Sequence, residues 1–361
     1  MLKRIAIGAA LAACATFFPQ AEVNAQRAAG PARPTGGATT AAAGSAAYPT
    51  DEQWKDSKPA QALVAKARAA AGSDAMLQMR FDKMCTTLGP QNVGTLLRNA
   101  GKTPEPPHQI EPLKIFDNLY FFGLNTIGAW AIPTSQGIIL IDALNTPDEA
   151  EKLIEPSLKK VGLNPADVKM IIAGHGHFDH FGGAPYFQQK YGSHVVMSKL
   201  DWDMLETPAG GRGASATRPL PKRDMEITTN GQKVTLGDET ITLEITPGHT
   251  PGSMAYIIPV KDHGRPMNIL MLSGANITPD RASLDAFRKA LGVAKAEKAQ
   301  ALINGHPETL GYENRWMEQL RSQPDGPNPY AMTAPQFSKF ADIMADCAEA
   351  RVVAMEYKGT N

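Results

Sequence analysis

Val168-Lys169-Met170-Ile171-Ile172-Ala173-Gly174-His175-Gly176-His177-Phe178-Asp179-His180-Phe181-Gly182-Gly183 is the stretch that decides how this chain reads. Val168 to Ala173 is a short apolar run of strand length, and the glycines that follow turn the chain out of it. Four metal-binding side chains then fall within six residues. In an extended segment alternate residues share a side, so His175 and His177 fall together, while Asp179 and His180 follow where the chain turns. One cation can take the first pair and a second the Asp-His pair. Three histidines and an aspartate in one loop gain no core packing, and protonated imidazoles repel one another, so metal binding is the reading that uses all four. Imidazole nitrogen and carboxylate oxygen without thiolate suit zinc, and manganese or iron is also compatible by ligand type.

Each cation needs a further ligand, and two histidines stand in comparable settings. Thr246-Pro247-Gly248-His249-Thr250-Pro251-Gly252 carries one and Ile303-Asn304-Gly305-His306-Pro307 the other. Both follow an apolar strand in Gly/Pro turns, where functional side chains gather at a sheet edge. His249 completes the first group and His306 the second, with an open position left on each for water or substrate. His108 in a Pro-rich linker, His194 at a strand start and His263 in the turn Lys261-Asp262-His263-Gly264 read as structural or solvent-facing; His263 is the one rival to His306.

Around these loops the pattern is α/β. Ile115 to Phe122, Ile127 to Pro133 and Ile138 to Asp142 read as a strand meander, followed by a helix from about Pro147 to Val161 and another near Ala184 to Lys190. The second half offers strands near Glu226 to Thr229, Lys233 to Leu236, Thr240 to Thr246, Met254 to Val260, Asn268 to Leu272 and Ala301 to Asn304. Helices near Ser283 to Leu291 and Glu313 to Arg321 interleave with them, and a last helix is capped by Thr333 with Phe337, Phe340, Met344 and Cys347 on one face. This predicts two sheets face to face with helices outside, a four-layer αββα sandwich of two mixed β-sheets.

The first half of the N-terminal region reads as an address. Lys3 and Arg4, an apolar run from Ile5 to Phe18 and the small residues up to Ala25 form a secretory signal peptide over 1–25, which places the protein in the periplasm. Leu11-Ala12-Ala13-Cys14 also fits a lipobox, but the apolar run continues past Cys14, which favours cleavage after Ala25. Residues 26–50 are Ala, Gly, Pro, Thr and Ser with few large apolar side chains, a disordered tether. A helical extension follows over 51–107: Pro59 to Ala71 is Ala-rich, Leu77, Phe81, Met84 and Cys85 share a face, and Pro104, Pro106 and Pro107 close it. Residues 108–361 are the catalytic domain. Cys85 and Cys347, both on apolar helix faces in an oxidising compartment, are candidates for a disulfide.

Lys plus Arg number 36 and Asp plus Glu number 36, so no net field draws nucleic acid or an anionic membrane. No later window approaches the roughly 18 apolar residues of a transmembrane helix. A soluble enzyme acting on a small molecule remains; oligomeric state is not legible.

The metal motif resembles the signature His-x-His-x-Asp-His of the metallo-β-lactamase superfamily, and the likeness extends from Leu113 to roughly Arg351. Within it the chain is most similar to the cysteine-free third subclass, through Thr134-Ser135-Gln136-Gly137 leading to Leu140-Ile141-Asp142, then Gly174 to Gly183, then His249-Thr250-Pro251-Gly252-Ser253. The resemblance implies His175, His177 and His249 on one zinc, Asp179, His180 and His306 on a second, and Asp142 as a structural carboxylate beneath them. Two departures stand out. Leu272-Ser273-Gly274-Ala275-Asn276 has no carboxylate where many superfamily hydrolases have a bridging aspartate, which favours the β-lactamase branch. Gly274 stands where the third subclass usually has a substrate-binding serine, with Ser273 and Asn276 as neighbours.

Two zincs sharing a water lower its pKa towards neutrality and present hydroxide to a carbonyl, with Asp179 orienting it as the catalytic residue. No protein nucleophile is needed: there is no Gly-x-Ser-x-Gly elbow, and Ser157-Leu158-Lys159-Lys160 matches Ser-x-x-Lys by chance. The leading expectation is a β-lactamase. The alternatives are a hydrolase of a lactone or another ester or amide, and a zinc-binding protein without turnover. Thr207 to Lys222, with Arg212, Arg218 and Lys222, reads either as a loop that meets a substrate carboxylate or as solvated surface charge. Trp130 and Tyr186 read equally as entrance or core.

Overall fold

A computed structural model of the chain describes residues 48–90, 97, 100–207, 218–274, 277–307, 309 and 313–359. The expected signal peptide, Cys14 and nearly all of the tether lie outside the described residues, as do Arg212 and Asn276.

Three helices open the described chain: α1 (Asp51–Asp56), α2 (Lys58–Ala71) and α3 (Ala75–Met84). Four strands follow: β1 (Gln109–Phe116), β2 (Leu119–Leu124), β3 (Gly128–Thr134) and β4 (Gly137–Ile141). The run read as a single strand from Ile115 to Phe122 is instead a hairpin, turning at Asp117-Asn118 with Phe116 opposite Leu119. Next, α4 (Pro147–Glu149) continues through a π-helical turn (Ala150–Ile154) into α5 (Glu155–Lys160). The chain then runs through β5 (Val168–Ile172), α6 (Phe178–Phe181), α7 (Ala184–Tyr191), β6 (His194–Ser198), α8 (Lys199–Leu205) and β7 (Met225–Ile227). The rest comprises β8 (Gln232–Leu236), β9 (Glu239–Ile245), β10 (Met254–Asp262), β11 (Arg265–Leu272), α9 (Arg281–Ala296), β12 (Ala299–Asn304), α10 (Glu313–Ser322) and α11 (Ala334–Met355).

The strands form two mixed sheets, one of seven strands in the order β1 to β7 and one of five in the order β12-β11-β10-β9-β8. β7 closes the first sheet, parallel to β6, rather than opening the second. The central strands read as continuous apolar runs because both of their faces are covered. Along β4, Ile139 and Ile141 enter one core while Ile138 and Leu140 enter the other. The first core lies between the sheets and under α9, α10 and α11; the second packs the outer face of the seven-stranded sheet against Ile154, Leu158, Phe181, Phe187 and Trp202. This is the four-layer αββα arrangement that the strand and helix pattern predicts. Trp130 is wholly buried, edge-on to Phe121, and belongs to the core rather than to an entrance. Ser157 is also buried and accepts from Gln109, so the Ser-x-x-Lys match is part of packing. No helix among the described residues is long and apolar enough to cross a membrane.

The N-terminal helices share the main core. Leu77, Phe81 and Met84 pack into it, and α2 meets α11 through the small residues Ala60, Ala350 and Ala354. α11 is capped by Thr333 as expected, and Gln336 at its third position completes a capping box. Arg351 donates to the Met84 carbonyl at 2.7 Å, and Cys85 is joined to Cys347. A cross-link between residues so far apart in sequence stabilises chiefly by restricting the unfolded chain. Replacing both cysteines by serine is therefore expected to cost about 2–4 kcal/mol. Denaturant midpoints read with and without reductant check this; unchanged midpoints would show that packing alone holds the extension.

Candidate metal centre

The ends of β4, β5 and β12 and the turn before β10 meet at one edge of the sandwich. Backbone hydrogen bonds join the sheets there, from Met254 N to the Gly174 carbonyl at 3.1 Å and from Gly128 N to the Gly305 carbonyl at 2.8 Å. After β4 the chain passes through Asp142 and Leu144 with φ of 61° and 59°, a left-handed conformation that non-glycine residues take at a cost and that recurs at functional sites. This turn interlocks with the histidine loop, Ala143 N donating to the His180 carbonyl at 2.8 Å and Gly182 N to the Leu144 carbonyl at 3.0 Å. The approach is close enough that a Cβ on Gly182 would sit 2.0 Å from the Asn145 carbonyl oxygen.

All six residues singled out in the sequence come together here. His175 Nε2 lies 3.0 Å from His177 Nδ1, which lies 3.1 Å from His249 Nε2. His180 Nε2 lies 3.2 Å from His306 Nε2, and Asp179 Oδ2 is 3.4 Å from His306 Nε2 and 3.9 Å from His180 Nε2. His175 borders both groups: its ligand atom also falls within 4.8 Å of those of Asp179 and His180. His175 and His180 are buried, whereas His177, Asp179, His249 and His306 are half-buried, so the cluster has a closed floor and an open face. His108 and His194 lie elsewhere on exposed surface, and His263 sits in the turn between β10 and β11.

The outward ring nitrogens show why this arrangement suits cations. His306 Nδ1 is 2.8 Å from the Thr126 carbonyl oxygen and His180 Nδ1 is 2.6 Å from Asp142 Oδ2. A carbonyl oxygen and a carboxylate only accept, so both Nδ1 atoms carry the proton and both Nε2 atoms of neutral rings present lone pairs. Two lone pairs 3.2 Å apart require a proton or a metal ion between them. His175 Nδ1 is likewise engaged, 2.8 Å from Ser273 Oγ. Such outer partners fix the tautomer and orientation of metal-binding histidines. The donor set therefore fits two cations, one facing His175, His177 and His249 and one facing Asp179, His180 and His306.

Protonation follows the same geometry. Burial, and then the neighbouring imidazoles, hold His175 well below its ordinary value and bring His249 down to about 3. Burial and then His180 lower His306. Burial also works against a charged His180, but Asp142 and Asp179 outweigh it and lift its pKa to about 9. For Asp179, burial favours the neutral acid, yet His180, His306 and His177 pull it below the usual carboxylate value. At pH 7 the metal-free cluster thus holds its extra proton on His180, and a cation must displace it. In the metal-free protein the His180 ring, followed by NMR, is expected to lose its second proton near pH 9. A His180 ring already neutral at pH 7 would contradict this assignment.

The metallo-β-lactamase superfamily domain matches residues 129–263. BJP-1, a subclass B3 metallo-β-lactamase of Bradyrhizobium japonicum, is 30% identical over 64% of this chain and 89% of its own, with a TM-score of 0.53. The chain belongs to the metallo-β-lactamase superfamily. Native FEZ-1 of Legionella gormanii shares the metallo-β-lactamase fold at 20% identity and a TM-score of 0.54, over 66% of this chain and 94% of its own. The N-acyl homoserine lactonase AttM of Agrobacterium fabrum is 30% identical over 107 residues, 28% of this chain and 40% of that protein. BaeB of Bacillus velezensis, a probable polyketide biosynthesis zinc-dependent hydrolase, is 29% identical over 117 residues, 32% of this chain and 45% of its own. The chain spans about half the length of the curated relatives it matches.

Against this family background the local departures gain a physical reading. A Cβ on Gly274 would come within 2.7 Å of the His249 Cβ, so the chain packs bare backbone against His249 where a serine would collide. Ser273 is occupied beneath His175. Arg218 stacks its guanidinium 4.0 Å over the Phe178 ring and donates to the Asn145 carbonyl at 2.9 Å, bringing a cation against the histidine loop; Lys222 instead joins Gln188 through its backbone. Tyr186 donates to Glu155 at 2.8 Å. Sequence reading missed α8 and with it Asp201, a buried carboxylate bound to both histidine loops. A signal was present: Ser198-Lys199-Leu200-Asp201 has a helix N-cap serine with an acidic residue three positions on, and Ser198 Oγ accepts from Asp201 N.

Proposed function

We propose that this metallo-β-lactamase-fold hydrolase is a periplasmic dizinc β-lactamase, exported by its N-terminal signal peptide. The observation that carries the reading is the six-donor set, in which Thr126, Asp142 and Ser273 hold the outer nitrogens of His306, His180 and His175 and so turn their other ring nitrogens inward. His175, His177 and His249 would hold one zinc and Asp179, His180 and His306 the other. Bound there, two zinc ions supply Lewis acidity and make water a ready nucleophile near neutral pH. Asp179, ionised and on the open face, accepts a hydrogen bond from the attacking water and orients it. Asp142 and the Thr126 carbonyl keep His180 and His306 in the tautomer that leaves Nε2 free for a cation. The half-exposed face admits a small-molecule substrate, which a storage site would not need. The likeness to BJP-1 over 89% of that chain supports a lactam as substrate.

One observation favours a second reading, a lactone or other ester as substrate. Gly274 has no side chain and Ser273 is engaged, so a carboxylate anchor is missing from these two positions, and AttM is a lactonase. Comparing kcat/KM for a penicillin, a cephalosporin and a carbapenem with that for an N-acyl homoserine lactone separates the two. The proposal expects lactams to be the better substrates; turnover of the lactone with every lactam intact would transfer the assignment to the second reading.

A further inference from the structure

Asp201 is wholly buried, and its carboxylate reaches both loops that bear the three-histidine group. Oδ2 accepts from Gly176 N at 2.6 Å and from Thr250 Oγ1 at 2.7 Å, and Oδ1 accepts from Gly252 N at 2.8 Å. Gly176 lies between His175 and His177, and Thr250 directly follows His249. The carboxylate is thus a clasp between segments that are distant in sequence but must set three nitrogens about one point. Both loops press directly on α8 at this clasp. A Cβ on Gly176 would stand 2.6 Å from Met204 Cε and 3.2 Å from Asp201 Cβ, and one on Gly252 would stand 1.8 Å from Ser198 Oγ and 2.7 Å from Asp201 N.

The other group has its own carboxylate. Asp142 accepts from His180 Nδ1 at 2.6 Å and from Gly174 N at 2.8 Å. Burying a carboxylate is costly unless donors surround it, and a neutral side chain could fill the space under two loops without that cost. An acid here gives three short charge-assisted bonds, which hold geometry more tightly than neutral ones.

We propose that Asp201 is the positioning residue that sets the spacing of His175, His177 and His249, and thereby fixes the cation affinity of that group separately from the Asp179/His180/His306 group. The inference rests on the metal-centre reading above. Asp201→Asn keeps the size but turns an amide N–H towards a backbone N–H. Thr250→Val removes one donor and leaves the carboxylate in place.

The test is a cobalt(II) titration of the metal-free full chain, read by visible absorption and metal analysis, with His249→Ala and His306→Ala marking the two groups. Asp201→Asn is expected to weaken the group marked by His249→Ala by roughly 10–100-fold and to leave the other within about threefold of the parent. Thr250→Val should weaken the same group by a smaller factor. Equal weakening of both groups, or none, would overturn the inference while leaving the metal centre standing. Should Asp201→Asn fail to fold, as judged by circular dichroism, Thr250→Val alone decides by the same criterion. A parent protein that binds no cobalt would overturn the metal reading and the inference together.

Discussion

Asp179→Ala is expected to lower kcat/KM for ring opening by roughly 10²–10⁴-fold, the usual contribution of a positioned proton acceptor. Asp179 is the one carboxylate among the six donors, and its side chain is 25% exposed, so it faces both the second cation position and the space a substrate enters. Its neighbours His180, His306 and His177 keep it ionised, so it accepts a proton but does not supply one at neutral pH. Alanine removes a cation ligand as well as the acceptor. Metal content measured beside activity separates the two losses, because His306→Ala deletes a ligand of the same group and leaves the carboxylate. Activity of Asp179→Ala within tenfold of the parent would place the orientation of water elsewhere.

Asp142→Ala is expected to destabilise the metal-free protein by about 3–5 kcal/mol, the range for removing one partner of a buried charged pair. Both Asp142 and His180 are fully buried, and the substitution leaves His180 Nδ1–H and Gly174 N–H without acceptors inside the protein. The loss should depend on pH. His180 has its folded pKa raised from 6.5 to about 9, so the stability it gains from its carboxylate neighbours is fully present below pH 6.5 and is lost as pH rises through 9. The gap between parent and variant, measured by urea unfolding in chelator, is expected to shrink above pH 9. A gap that widens with rising pH would show that the pair does not hold the His180 proton.

Much of this was legible in the sequence, and the reason is local. A strand that ends in glycine and histidine exposes its next side chains at the sheet edge, so Gly174 to His180, His249 and His306 declared themselves by setting alone. The carboxylate beneath the site, Asp142, came from the resemblance. What stayed hidden depends on contacts between distant segments. Ile115 to Phe122 is apolar enough for one strand, and only its pairing reveals the turn at Asp117-Asn118. The three residues of β7 carry no mark of the sheet they join. Asp201 sits in Lys199-Leu200-Asp201-Trp202-Asp203, which has the charge pattern of a solvated surface; its burial is created by loops centred on residues 176 and 252. Whether Cys85 and Cys347 are bridged or both free was open in the sequence, and the bridge joins the end of α3 to α11.

The most direct test of the central claim is to titrate zinc into the metal-free protein while following loss of carbapenem ring absorbance. The account predicts no ring opening in chelator, activity that rises with added zinc and levels off at about two equivalents per chain, and loss of that activity when chelator is restored. Ring opening at the full rate in chelator, or saturation with zinc while penicillin, cephalosporin and carbapenem all remain intact, would contradict it.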